Sequence, residues 1–478
     1  MNLHFEIQSI KTKLNGFEIY QCIEKGEDHI FLDSSKEDSP YSRYSIIGAN
    51  PFLTIKYENK KIYEKWYGQE IVCFKPAENQ IDIFSYLNNI LNIYKADNKT
   101  KLPFIGGALG YCSYDLGSEM ENLKSKAPAL VEIPEVYFVF YDNAIILDHR
   151  SGEVSVTGFG IMKDAKISVA DLVCQIEKCE NSLINKDIEV KDCNIDSPKE
   201  ARPVFESPFD ETEYKETVEK MRNYIREGHI YIANMTHTFA GDFKSDPLKT
   251  YEKLRRINPA PFSAFLPLED FTVLSSSPER FIEIRAGKVQ TRPIKGTRAR
   301  GSSLEEDNQN REELRNSEKD RSELLMIVDL ERNDLNKVCM PGSVKVTELF
   351  QIEEYATVFH LVATIEGRLM PGNTSVDCIK ATFPGGSITG APKIRAMEII
   401  DELEKSKRNI YTGSIGYLGF DGNLDLNIVI RSILMKDERA YIGVGGGVTW
   451  ESESQAEYDE TIAKAIALFK SLEADYIA

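Results

Sequence analysis

The stretch Ser275–Gly301, SSSPERFIEIRAGKVQTRPIKGTRARG, decides how this chain is read. It spells two short strands and a tight turn. Phe281 to Arg285 carries Phe281, Ile282 and Ile284; Lys288 to Ile294 is more polar. Ala286-Gly287 lies between them, and Gly supplies the positive φ that a tight hairpin turn needs. Glu279 at the entrance and Lys295 at the exit lie symmetrically about position 287, so closing the hairpin brings them together. A three-residue loop centred on Gly287 makes them a direct cross-strand pair, with Cβ atoms roughly 5 Å apart. A two-residue loop shifts the register and leaves them as offset neighbours on opposite faces. The sequence accommodates either.

A carboxyl beside an amine can do chemistry. The acid can protonate a leaving group. A lysine kept neutral by a dry pocket can attack carbon. The bland alternative is a cross-strand salt bridge. The setting favours chemistry: Gly296 lets a ligand approach the backbone closely, and Thr297, Arg298 and Arg300 add a hydroxyl and two cations.

Two further stretches bring carboxylates together. Leu304 to Met340 reads as a long polar helical stretch ended by Pro341-Gly342, with Asp320 and Glu323 on the face of Ile327 and Leu330. QAEYDETIAKAIALF near the C-terminus reads as a helix with Glu457, Glu460 and Lys464 on one face. Such pairs usually decorate solvated helix faces, but carboxylates from two helices can also converge on Mg²⁺, which takes oxygen ligands in octahedral geometry. FPGGSITGAPKIRAMEII, Phe383 to Ile400, is a Gly-rich loop running into a helix, an anion site through N–H groups and the helix dipole. It lacks the P-loop spacing. His360, among apolar residues, reads on its own as a core histidine.

Toward the N-terminus, residues 1–160 form a β-rich lobe, with runs such as FLTIKYE and VYFVFYDNAIILD between turn signals. Residues 161–207 connect it to the rest, turning polar from about Lys178 to Ser207. Residues 208–475 hold the motifs above. A helix starts after Asp210 as N-cap and stops at Gly228, followed by the strand HIYIANMTHTFAG.

At 478 residues the chain is long for one core, and two large lobes are expected. No apolar run approaches the roughly 20 residues of a membrane span, and MNLHFEIQSIKTK lacks a signal peptide's apolar core. Eight cysteines without a CxxC pair point to reduced thiols in a cytoplasmic protein. A net charge of −18 argues against nucleic acid or anionic membranes as partners. A small anionic substrate needs a local reversal of that field by Arg, Lys, backbone N–H groups and a divalent cation.

SSSPERF followed by RPIKGTRARG, with the later motifs in order over roughly the last 270 residues, resembles the chorismate-utilising enzymes. The resemblance implies an α+β fold of the anthranilate-synthase type: two large packed antiparallel β-sheets with helices outside. It implies Mg²⁺ held by Glu323 and Glu460, with Glu457 close by and Asp320 behind them. Glu279 becomes the acid and Lys295 the nucleophile. Gly296, Thr297, His360, Ser387, Tyr411, Arg431, Gly447 and Lys464 become substrate contacts, with Tyr411, Arg431 and Gly447 at the enolpyruvyl carboxylate. Lysine within PIxGT, here Lys295, is similar to the branch that forms 4-amino-4-deoxychorismate; the anthranilate-forming branch usually has alanine. The Phe-Ser-Ala of NPAPFSAFL points the same way. Water-adding relatives carry a lysine and amine-adding relatives a glutamine where this chain has Ile232, which cannot act as a base. FLDSSKEDSPYSRYSIIGANPF, with Ser34, Ser42 and Tyr44, resembles the family's tryptophan pocket. No GxCxG surrounds any cysteine, so a separate glutamine amidotransferase subunit is expected to supply ammonia. Anthranilate formation and ligand binding without turnover are the alternatives.

Overall fold

The computed structural model describes residues 5–23, 28–36, 39, 41–68, 73–78, 81–123, 127–186, 202–354 and 358–477. Two long strands organise it, Tyr44–Glu58 and Val136–Asp148. The second is buried along almost its whole length, as two apolar runs on either side of the buried Asp142-Asn143 require of a strand covered on both faces. The two pair antiparallel from Tyr44↔Asp148 to Tyr57↔Val136, with a register shift between Pro51 and Leu53.

Different strands join this ribbon on either side of the shift, so it belongs to two sheets. From one end a sheet runs through Glu153–Gly158 to Glu6–Lys11 on one side. On the other side it runs through Phe31–Asp33, Phe262–Pro267, Phe271–Ser277, Ser432–Lys436 and Arg439–Val448 to Ile232–Asp242. From the other end a second sheet takes in Lys61–Trp66 on one side. On the other it takes in Gly107–Cys112, Ser414–Gly419, Leu424–Asn427, Arg280–Arg285, Lys288–Thr291 and Val358–Arg368. Every pairing named here is antiparallel, and the hydrogen bonding is continuous through the ribbon.

Ile46, Leu109, Val139, Tyr141, Ala264, Val273, Ile415 and Leu434 fill the space between the sheets. Helices cover the outsides: Gly16–Cys22, Ala165–Lys186, Pro247–Ile257 and Ser454–Leu472 on the first sheet, and Ile83–Ile93, Glu318–Asn336 and Ser375–Thr382 on the second. This is the expected α+β arrangement of two packed antiparallel sheets with helices outside.

Several local expectations need correction. The stretch Leu304–Met340 is two helices, Leu304–Asn316 and Glu318–Asn336, because Ser317 ends one and caps the next through Asp320 N. The polar run from Lys178 is helical as far as Lys186, and Val204–Phe205 is a strand; residues 187–201 lie outside the described residues. Cys22 and Cys179 form a disulfide, with Cα atoms 5.9 Å apart, so the reading of reduced thiols throughout fails there. The two helices carrying them pack together although 157 residues separate the cysteines. Cys73, Cys112, Cys174, Cys339 and Cys378 are free; Cys193 lies outside the described residues. No described helix is long and apolar enough to cross a membrane.

Candidate active site

The hairpin closes with Arg285↔Lys288 and Ile284↔Val289 in register, so its loop is the two residues Ala286 and Gly287, both at positive φ (50° and 75°). The predicted second strand is broken, however. It stops at Thr291, Arg292-Pro293 interrupts the ladder, and a new strand Ile294–Ala299 pairs with Val358–Arg368. Proline has no N–H to give the ladder. This break releases Lys295 from the hairpin's face alternation, and Glu279 and Lys295 both line one cleft of about 640 Å³.

Lys295 donates its Nζ to Ser387 O at 3.0 Å. The Glu279 carboxyl is buried, and burial pushes its pKa up against the opposing pull of the Ser387 hydroxyl and the Lys295 charge. Gly296, at φ +74°, sits where the strand shifts register, and a Cβ there would lie 2.8 Å from Asp320 Cγ. Its glycine is thus required by the backbone and by Asp320. Thr297 Oγ1 and His360 Nδ1 are 2.9 Å apart, and burial lowers the imidazole's pKa to about 4, which keeps it neutral. The two expected cations are committed elsewhere: Arg298 to Glu313 and Asp320, Arg300 to Asp307.

The carboxylates come from the two helices foreseen. Burial raises Glu323 to about pKa 7, opposed by Lys295 and Lys319 and reinforced by Asp320 and Glu457. Its Oε1 is buried without a hydrogen bond, and Lys319 Nζ is 4.0 Å away. Glu457 accepts from Ser452 Oγ at 2.6 Å, and burial raises its pKa. Burial also acts on Glu460, but the Lys464 ammonium at 2.6 Å holds it below the usual range. Among the described residues no three metal-ligating side chains form a ready-made cluster. An orphaned buried carboxylate oxygen between acidic neighbours nevertheless suits a hard divalent cation.

Opposite, Arg431 donates to Lys464 O, and Tyr411 lies buried. A Cβ on Gly447 would stand 3.4 Å from Ile232 Cδ1 and 3.5 Å from Lys295 Nζ, so the bare glycine leaves room beside the amine. Glu279, Lys295, Gly296, Thr297, Glu323, His360, Ser387, Tyr411, Arg431, Gly447, Glu457, Glu460 and Lys464 all line the cleft. The Gly-rich loop does so only through Ser387 and Ile388; the N-terminus of the following helix, at Lys393, is outside the lining, so the expected anion site at that terminus does not belong to this cleft. The sequence reading missed Asn234 and Lys319, which also line it. Both had a signal: Asn234 lies two residues after Ile232 and so on the same strand face, and Lys319 precedes Glu323 by one helical turn.

Ser34 and Tyr44 line a separate cavity of about 330 Å³, where Ser34 Oγ reaches Tyr44 O at 2.8 Å and Pro261 O at 3.2 Å. Ser42 is buried but is not part of that lining.

An α+β shell of two sheets around a cleft of paired carboxylates defines a class, and the sequence confirms which: residues 27–470 match the family described as chorismate binding enzyme, and the chain belongs to it. It is 42% identical to aminodeoxychorismate synthase component 1 of Klebsiella aerogenes over 372 residues, 78% of each chain. It is 35% identical to anthranilate synthase component 1 of Acetivibrio thermocellus, covering 95% of this chain and 92% of that one. The crystal structure of anthranilate synthase component I from Streptococcus pneumoniae superposes with a TM-score of 0.74 at 31% identity, covering 91% of this chain and 93% of that chain.

Proposed function

We propose that this cleft converts chorismate and ammonia to 4-amino-4-deoxychorismate, the precursor of p-aminobenzoate and folate. The observation that carries the reading is that Lys295 and Glu279 line one cleft, in a chain whose relatives include aminodeoxychorismate synthase component 1.

In the first step the Lys295 amine attacks C2 of the ring. The two conjugated ring double bonds move from C1=C2 and C5=C6 to C1=C6 and C4=C5, and the 4-hydroxyl departs as water with a proton from Glu279. A carboxyl with its pKa raised by burial suits that task, because burial favours its protonated form. Ammonia then bonds to C4, both double bonds return to C1=C2 and C5=C6, and the lysine leaves C2 as the free amine. The net change exchanges hydroxyl for amino and keeps the enolpyruvyl group. Arg431 and Tyr411 hold the enolpyruvyl carboxylate, Arg through its two-pronged donor geometry. Neutral His360, fixed by Thr297, lies against the ring, and Gly447 leaves room beside the amine. Glu323 and Glu460, with Glu457 beside them, are the residues that would hold Mg²⁺, which when bound supplies positive charge for the ring carboxylate. The ammonia comes from glutamine through a partner amidotransferase subunit, since no cysteine of this chain lies in GxCxG.

Mass spectrometry of the product from chorismate, ammonia and Mg²⁺ tests the reading. The expected product is 4-amino-4-deoxychorismate, absent with Lys295→Ala. Fluorescent anthranilate with released pyruvate, or an unchanged product and rate in the variant, overturns it.

A further inference from the structure

Lys393 stands where a helix disfavours it. It is the first residue of the helix Lys393–Leu403, where the helix dipole repels a cation. Its side chain is largely buried, which adds a desolvation cost. Three acceptors offset both: the Asp334 carboxylate, Thr382 O at 2.8 Å and Pro384 O at 2.8 Å. An ammonium has three N–H groups, so each is used. Thr382 ends the helix Ser375–Thr382, and Pro384 opens the loop that returns to Lys393. The side chain therefore spans the neck of that loop.

Both ends of this arrangement lead to the cleft. Asp334 is buried on the helix Glu318–Asn336, about three turns beyond Glu323 on the same face. Within the loop, Ser387 accepts from Lys295 Nζ through its carbonyl and reaches Glu279 through its hydroxyl. Neither Lys393 nor Asp334 lines the cleft. A bond that merely fastened a helix would need one acceptor; this one ties the loop's neck to the helix that carries Glu323.

We propose that Lys393 and Asp334 form a positioning clamp that seats the Ser387 loop against the Glu323 helix and so fixes Lys295 and Glu279 relative to the carboxylates. The proposal rests on the reading of Lys295 and Glu279 as the reacting groups.

The test is steady-state kinetics of Lys393→Met and Asp334→Asn with chorismate and ammonia, with a thermal melt of each to establish folding. The expected kcat falls by about tenfold to a hundredfold, the scale of a misplacement of order 1 Å, while KM for chorismate stays within about threefold. The alkaline limb of kcat also moves to higher pH, because Glu279 loses the Ser387 hydroxyl that favours its charged form; Ser387→Ala reproduces that shift. A folded variant with wild-type kcat, or with kcat and KM altered together and the limb unmoved, overturns the clamp. If Lys393→Met does not fold, Asp334→Asn, which keeps its size and both carbonyl partners of Lys393, decides alone. A wild-type product other than 4-amino-4-deoxychorismate would sink the underlying reading, while the kinetic split would still report on the clamp.

Discussion

Glu279 carries the sharpest single-residue expectation. Its carboxyl is buried, its pKa is pushed up by that burial, and the proposed step uses its protonated form. Rate should therefore fall as pH rises through that raised pKa. Glu279→Gln keeps the shape and loses the proton, so kcat drops by about 10²- to 10⁴-fold and the alkaline limb disappears, measured as a pH profile of both proteins. A variant that keeps the wild-type limb would move the role elsewhere. His360 offers the control. Its imidazole, brought to about pKa 4 by burial, is already neutral at pH 6 to 9, so His360→Asn leaves the limb where it was. The pairing of Glu279 with Lys295 was legible because two numbers flanked one glycine. The manner of their meeting was not. Ala286 adopts positive φ without being glycine, and after the break at Arg292-Pro293 the next strand keeps Val358–Arg368 as partner but no longer pairs with Arg280–Arg285.

At the scale of the element, the helix Glu318–Asn336 is informative. Its buried face carries Asp320, Glu323, Glu331 and Asp334, four acids where apolar residues would be routine. Its period was readable, and so was the Asp320–Glu323 pair. The deeper acids were not singled out, because only the fold shows what lies over them. Glu331 is the clearest case. Thr291 Oγ1 lies 2.7 Å from Phe281 O and 2.8 Å from Glu331 Oε2. One hydroxyl proton cannot serve both, so a protonated Glu331 donates to Thr291, which donates to Phe281 O. Burial raises Glu331 to about pKa 8, in agreement. A carboxyl whose folded pKa exceeds its unfolded one stabilises most below the unfolded value, and that contribution is lost as pH climbs to the folded value. Glu331→Gln mimics the neutral acid. Chemical denaturation of both proteins from pH 5 to 9 should show the variant gaining on the wild type up to about pH 8 and holding level above it. A difference independent of pH would mean that Glu331 is ionised in the fold. Metal binding is tested on the same helix. Mg²⁺ that binds only the folded state raises Tm by mass action. Glu323→Gln, which lacks the charge of the unsatisfied oxygen, abolishes that rise, whereas an equal Mg²⁺-dependent shift in both proteins would place the ion elsewhere.

On the scale of the whole molecule, the division of the sequence near residues 160 and 208 does not coincide with an edge of either sheet. Gly107–Cys112 lies between Val136–Asp148 and Ser414–Gly419, hydrogen-bonded to both. Phe31–Asp33 likewise joins Tyr44–Glu58 to Phe262–Pro267. Composition could mark a β-rich first part and a motif-rich second part, but pairing between strands three hundred residues apart leaves no local trace. The residues that line the cleft all fall after residue 208, which invites expression of that part alone. The fold predicts failure. Such a fragment would expose the edges of Ser414–Gly419 and Phe262–Pro267, and it would uncover Ile415, Ala264 and Leu434, which pack against Ile46, Leu109 and Val139. Open apolar edges of this kind associate with other chains. Residues 202–478 expressed alone should thus be aggregated or lack a cooperative melt. Co-expression with residues 1–186 should restore a soluble complex that melts as one unit, because the two parts bury a common core. A monomeric, cooperatively melting 202–478 fragment would show instead that the second part carries its own complete core, and the ribbon shared by the two sheets would lose its organising role.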